Sequence, residues 1–150
     1  MKSGGSEGAE EESAVFVTRE QPRELRIEVG DHMQFSRTRI VAGAGETLRV
    51  VLVHSGRAAK EVMGHNWVLL RPGVDVTAFA NAAVGAGATD YVPAARAGDV
   101  WAHTRLLGAG ARDAVVFTVP ADAVSGSEWP FLCTFPAHLQ LGMRGVLVVR

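Results

Sequence analysis

The sequence predicts an all-β domain: a sandwich or small barrel of about eight short strands, broken by one helical insertion near residues 75–90. Three observations carry this. Apolar residues recur with period two along most of the chain after residue 20, which is the strand signature. Glycine and proline signals separate those runs. The stretch from Asp75 to Asp90 departs from the pattern and is rich in alanine, a helix former. An all-β chain with turn signals at short intervals is expected to form an antiparallel sandwich or barrel.

The elements follow in order. Leu25, Ile27 and Val29 alternate with Arg26 and Glu28, and Gly30-Asp31 closes that run. Ile40 and Val41 form a second short run, closed by Gly43 and Gly45. Leu48, Val50 and Leu52 alternate with Thr47, Arg49 and Val51 in the third. Trp67 to Leu70, Val100 to Ala102, Val115 to Val119, Trp129 to Cys133 and Val146 to Val149 supply the rest. Within the alanine-rich stretch, Gly85 and Gly87 weaken the second half, so a helix followed by a loop is expected.

Residues 1–20 read differently. They are rich in Gly, Ser, Glu and Ala, and hold five acids (Glu7, Glu10, Glu11, Glu12, Glu20) against Lys2 and Arg19. Such a stretch buries too little apolar surface to offset its ordering entropy and reads as a flexible tail, leaving 21–150 as the domain. Val15, Phe16 and Val17 are open to two readings, a short added strand or packing on the domain edge.

Bulk numbers exclude several classes of function. The 150 residues suit one domain. A formal net charge of -1 gives no reason to expect nucleic acid or a charged membrane as partner. No run of about 18 apolar residues is present, so no membrane-spanning helix is expected. The start of the chain lacks the apolar core of a signal peptide. Either the protein stays in the cytoplasm or its export signal has been removed. Cys133 is the sole cysteine, which rules out an intrachain disulfide or a multi-cysteine zinc or iron–sulfur site. Composition leaves it open as a core residue, a nucleophile or a metal ligand.

Its neighbours decide. Cys133, His138 and Met143 are spaced C-x4-H-x4-M, and His65 lies far upstream in Gly64-His65-Asn66-Trp67. One soft thiolate, two imidazoles and a weak thioether form the ligand set of a blue-copper centre. Thiolate and thioether suit Cu(I), and imidazole also supports Cu(II), so a site acceptable to both states reorganises little when an electron moves. Cys133 is expected to end one strand on the face of Trp129 and Phe131. Met143 is expected to open the next, on the face of Gly145, Leu147 and Val149. The loop between them can wrap an ion, and His65 closes the site from another strand.

The resemblance to a known family rests on these segments. Met63-Gly64-His65-Asn66-Trp67-Val68-Leu69 resembles the first copper-ligand segment of azurins, and Cys133-Thr134-Phe135-Pro136 followed by His138 resembles their ligand loop. Gly30 to Phe35 and Ala102 to Gly108 are similar to azurin segments as well. The chain from about residue 24 to 150 is thus identified as a cupredoxin of the azurin and auracyanin kind. The resemblance implies a Greek-key β-sandwich and a type 1 copper electron carrier that transforms no substrate. His65, Cys133 and His138 would be equatorial ligands and Met143 the axial one, with the Gly64 carbonyl approaching from the opposite side. Asn66 would tie the two ligand segments together toward Thr134, and the Phe135 N–H would face the sulfur. Met33, Met63, Pro136, Ala137, Leu139 and Leu141 would form an apolar docking patch around the His138 edge. Partners would be redox proteins such as c-type cytochromes or copper and haem oxidoreductases. The location would be periplasmic or otherwise outside the cytoplasm, with a membrane involved only through a removed N-terminal anchor.

Three features depart from azurins. The histidine–methionine spacing is one residue longer and closer to auracyanins, Ala137 stands where glycine is usual, and their disulfide is impossible. Two rival readings remain: the electron-accepting domain of a copper enzyme, and a copper-storage or zinc-holding protein. The first needs a second metal site, for which only His32, His54 and His103 are left, at spacings that suggest none. His54 shares a face with Leu48, Val50 and Leu52 and reads as a core histidine with a hydrogen-bond partner. His32 and His103 read as surface residues. Trp67, Trp101 and Trp129 read as core or edge packing.

Overall fold

The computed structural model describes residues 21–150, so the acidic stretch and the Val15–Val17 run lie outside the described residues. The strands are β1 (Arg23–Val29), β2 (Arg39–Ala42), β3 (Thr47–His54), β4 (Val68–Leu70), β5 (Val100–His103), β6 (Arg112–Thr118), β7 (Glu128–Leu132) and β8 (Arg144–Val149). Each sits on a run that the sequence pattern marks. Two short helices accompany them, α1 (Lys60–Met63) and α2 (Val76–Ala83), with 3-10 turns at 87–89 and 94–99.

The strands form two sheets, ordered β1-β3-β6 and β2-β8-β7-β4-β5. Both are mixed. β1 runs parallel to β3, with Ile27 beside Leu52, and β2 runs parallel to β8, with Ile40 beside Leu147. The expectation of an antiparallel sandwich therefore holds for the other pairs and fails at these two. Residue alternation has period two in either orientation, so the sequence pattern carries no sign of direction.

Inward residues of the two sheets share one core. Ile27, Leu48, Val50 and Leu52 meet Trp67, Leu69, Phe131, Leu147 and Val149, and Cys133 and Met143 belong to the same cluster. Burying each large side chain of this kind contributes roughly 1.5–3 kcal/mol. Gly145 on β8 is required by close approach: a Cβ there would collide with the Phe131 ring and the Thr38 carbonyl.

The insertion builds a second, smaller core. Asp75 caps α2 by accepting the Ala78 N–H at 3.0 Å, and the helix ends before Gly85 and Gly87. Its apolar face, Phe79 and Ala80, packs on Val68, Leu70, Leu132 and Leu139. Beyond it, Asp90 and Tyr91 hold successive left-handed conformations, with φ of 56° and 61°. The helix, the left-handed pair and the ligand loop all gather at one end of the sandwich.

Candidate metal centre

Three chain segments place the donors. β7 ends at Leu132 and delivers Cys133 inward. The loop from Cys133 to Met143 then folds on itself through its backbone. The Met143 N–H donates to the His138 carbonyl at 3.1 Å, and the Cys133 N–H donates to the Met143 carbonyl at 3.1 Å. The His138 N–H donates to the Phe135 carbonyl at 3.0 Å. Cys133, His138 and Met143 are therefore linked through main-chain bonds alone. His65 arrives separately, pinned to Leu107 by a reciprocal pair of backbone bonds at 3.1 and 2.7 Å.

The side chains converge. Cys133 Sγ lies 3.8 Å from His65 Nδ1 and 3.5 Å from His138 Nδ1. Among the described residues, these three form a group whose donor atoms all lie within 4.8 Å of one another. An ion at ordinary metal–nitrogen and metal–sulfur distances, with ligand angles near trigonal, needs N···S separations of about 3.7 Å. The observed separations fit.

The tautomer fits as well. His65 Nε2 donates to the Gly30 carbonyl at 2.6 Å, which leaves the Nδ1 lone pair facing the sulfur. Burial holds both imidazoles far below their ordinary 6.5, to about 4, so both are neutral and able to ligate at neutral pH. Burial pushes the Cys133 thiol up to about 12, while the N–H groups of Asn66 and Phe135 act against that rise. Such a sulfur ionises only beside a cation, and those two N–H groups are already aimed at the anion. Soft sulfur with two imidazoles suits copper or zinc and disfavours hard, oxygen-loving cations.

The surroundings fix the donors. Asn66 Oδ1 accepts the Thr134 N–H at 2.9 Å, and Asn66 Nδ2 donates to Thr134 Oγ1 at 2.8 Å and to the Asp90 carbonyl at 3.0 Å. This side chain thus joins the residue after His65 to the residue after Cys133. The Gly64 carbonyl lies 4.0 Å from Sγ. A Cβ on Gly64 would fall 2.7 Å from the Lys60 carbonyl oxygen and 3.0 Å from the Phe135 ring, so glycine is what lets that carbonyl come so near. The His65 and His138 rings lie 5.0 Å apart, and Phe135 lies against His138 at 4.7 Å.

Residues 22–150 match the family model described as copper binding proteins, plastocyanin/azurin family. The chain belongs to that family. It is 35% identical over 130 residues to an azurin of Pseudomonas fluorescens biotype A, covering 84% of this chain and 97% of that one. An azurin of Bordetella pertussis is 39% identical over 120 residues, covering 78% and 77%. Among solved structures, reduced auracyanin from Roseiflexus castenholzii superposes with a TM-score of 0.72 at 32% identity, over 85% of this chain and 96% of that one. An azurin from Methylomonas sp. strain J gives 0.74 at 30%, over 85% and 98%. This cupredoxin is a type 1 copper electron-transfer protein, and copper is its cofactor.

The other residues singled out from the sequence fall as follows. Met143 is wholly buried in the cluster that holds Cys133. His54 is buried, accepting the Gly56 N–H on Nδ1 at 3.1 Å and donating from Nε2 to the Met63 carbonyl at 2.9 Å. His32 and His103 are exposed. Of the expected docking patch, Leu141 and Ala137 are exposed, while Met33, Met63 and Pro136 are half-buried. Leu139 departs from expectation: it is buried against Phe79, Leu70 and Leu132 and belongs to the second core. Helix α2 covers it, and nothing in its local sequence announces that distant partner.

Sequence reasoning did not reach the Gly30 and Asp90 carbonyls, the Leu107 bridge or the Asn66 N–H. All but the last lie on segments outside the ligand motifs, and all are main-chain groups, which any residue type supplies.

Proposed function

We propose that this cupredoxin carries single electrons between redox proteins and transforms no substrate. His65, Cys133 and His138 would hold one copper ion, with the Met143 thioether as a further weak donor and the Gly64 carbonyl close to the sulfur. Bound there, copper supplies a one-electron couple between Cu(I) and Cu(II). The chain's own part is to hold the donors still. Main-chain bonds lock Cys133, His138 and Met143 together, Gly30 fixes the His65 ring, and Asn66 fastens the two segments. Donors that cannot move far when charge changes keep the reorganisation small, and so keep transfer fast.

The observation that carries this reading is the convergence of one thiol and two neutral imidazoles inside a core sealed on every side but one. His65, Cys133 and Met143 have no exposed surface, whereas His138 keeps 4%. An electron therefore has its shortest way in or out through the His138 ring. Ala137 and Leu141, with the half-buried Met33, Met63 and Pro136, are the apolar residues we assign to docking around it. A patch with little charge suits brief encounters with redox proteins such as c-type cytochromes or copper and haem oxidoreductases. We place the protein outside the cytoplasm, in the periplasm or tethered to a membrane, as the habit of such cupredoxins suggests.

The test is voltammetry of the copper-loaded protein beside Met143→Leu. The native protein should give a reversible one-electron wave. Removing the thioether takes donor density from the oxidised ion, so the variant should keep its colour and show a higher potential. An unchanged potential would remove Met143 from the ligand set. Absence of any reversible wave would favour a storage or zinc-holding role.

A further inference from the structure

The Asp90–Tyr91 pair lies in the helical insertion, away from every ligand motif, yet its bonds lead to the metal centre. Both residues hold left-handed backbone, which bulky residues rarely adopt and which persists only where surrounding structure enforces it. Aspartate tolerates that conformation better than most residues. The Asp90 N–H donates to the Gly87 carbonyl at 3.2 Å, and Tyr91 N–H to the Ala86 carbonyl at 2.9 Å. The turn thereby presents Asp90 to two segments at once. Its carbonyl accepts from Asn66 Nδ2 at 3.0 Å, and its carboxylate accepts the Leu106 N–H at 3.2 Å. Asn66 is the clasp to Thr134, and Leu107, next to Leu106, forms the reciprocal bridge to His65. Tyr91 meanwhile sets its ring edge on Phe135 at 5.5 Å, and Phe135 lies against His138.

We propose that Asp90 is a positioning residue for the copper centre: its main-chain and side-chain oxygens together hold Asn66 and the Leu106–Leu107 strip, and through them fix His65. The helical insertion is then part of the site's scaffold and not only a cover for the second core. This rests on His65 being a ligand, so the test needs one readout that copper does not enter.

Two variants separate the effects. Asp90→Asn removes the charge but keeps an oxygen able to accept the Leu106 N–H, and it accommodates the left-handed turn. Asp90→Gly keeps the turn and the carbonyl but deletes the side-chain acceptor. Amide hydrogen exchange of Leu106 and Leu107 is measured on the metal-free proteins, and the visible and EPR spectra on the Cu(II) forms. The expected result is exchange at least tenfold faster in Asp90→Gly, with a shifted sulfur-to-copper band and altered hyperfine splitting, while Asp90→Asn stays native in both. Native exchange and spectra in Asp90→Gly would overturn the proposal, and so would equal shifts in the two variants, which would reduce the effect to charge. If the native protein lacks the sulfur-to-copper band, the ligand reading fails, while the exchange result still judges the brace.

Discussion

A thiol that ionises only near pH 12 and two imidazoles that protonate only near pH 4 describe a site poised for a cation but neutral without one. The histidines carry a stability consequence in the metal-free protein. Burial lowers their folded-state values from 6.5 to about 4, so the folded form binds fewer protons than the unfolded form between those limits. Stability is fully present above pH 6.5 and is lost as pH falls toward 4. Urea midpoints taken at both ends of that window should fall toward acid, and a His65→Gln, His138→Gln double variant should flatten the slope. A native slope in the double variant would place the protons elsewhere. At this scale the C-x4-H-x4-M spacing was legible because each candidate donor is a side chain with its own chemistry. The Gly30 carbonyl that sets the His65 tautomer was not legible, since a carbonyl oxygen carries no residue signature.

The ligand loop is the element that decides the geometry. Ala137 occupies it at φ 74°, where a Cβ is disfavoured. Ala137→Gly should relieve roughly 1–2 kcal/mol of strain. It should give back part of that through the freer unfolded chain, for a net gain of about 0.5 kcal/mol in metal-free stability by denaturant titration. A net loss would mean that the alanine methyl makes contacts that outweigh its strain. Leu139 and Leu141, two residues apart, should behave oppositely. Leu139→Glu forces a carboxylate into the second core and should cost on the order of 3 kcal/mol or more. Leu141→Glu alters a side chain that is 58% exposed, so stability and colour should stay native while electron self-exchange slows. Native self-exchange there would count against the docking patch. Period-two patterning marked most of the described strands because burial on one face is a local, repeating constraint, while β4, buried at every residue, shows only as a short apolar run. It gave no pairing direction, and it could not place Leu139, because loop residues have no fixed period and their burial depends on a helix some sixty residues away.

At the scale of the whole molecule, two mixed sheets and a helical insertion bring residues from opposite ends of the chain to one sealed point. The parallel pairs β1–β3 and β2–β8 matter here. β1 ends at Val29, so the Gly30 carbonyl that follows reaches the His65 ring, while β8 carries the chain away from Met143. The fold thus does for the metal what no short motif could do alone: it delivers ligands already spaced for a single ion. The most direct test of that claim is to load the protein with Cu(II) and record its visible and EPR spectra beside Cys133→Ser. One copper per chain, an intense absorption toward the red and a narrow copper hyperfine splitting are the predicted result, all lost in the serine variant. A weak absorption with wide hyperfine splitting, or the same spectrum in Cys133→Ser, would mean that the thiolate does not bind the metal and would contradict the account.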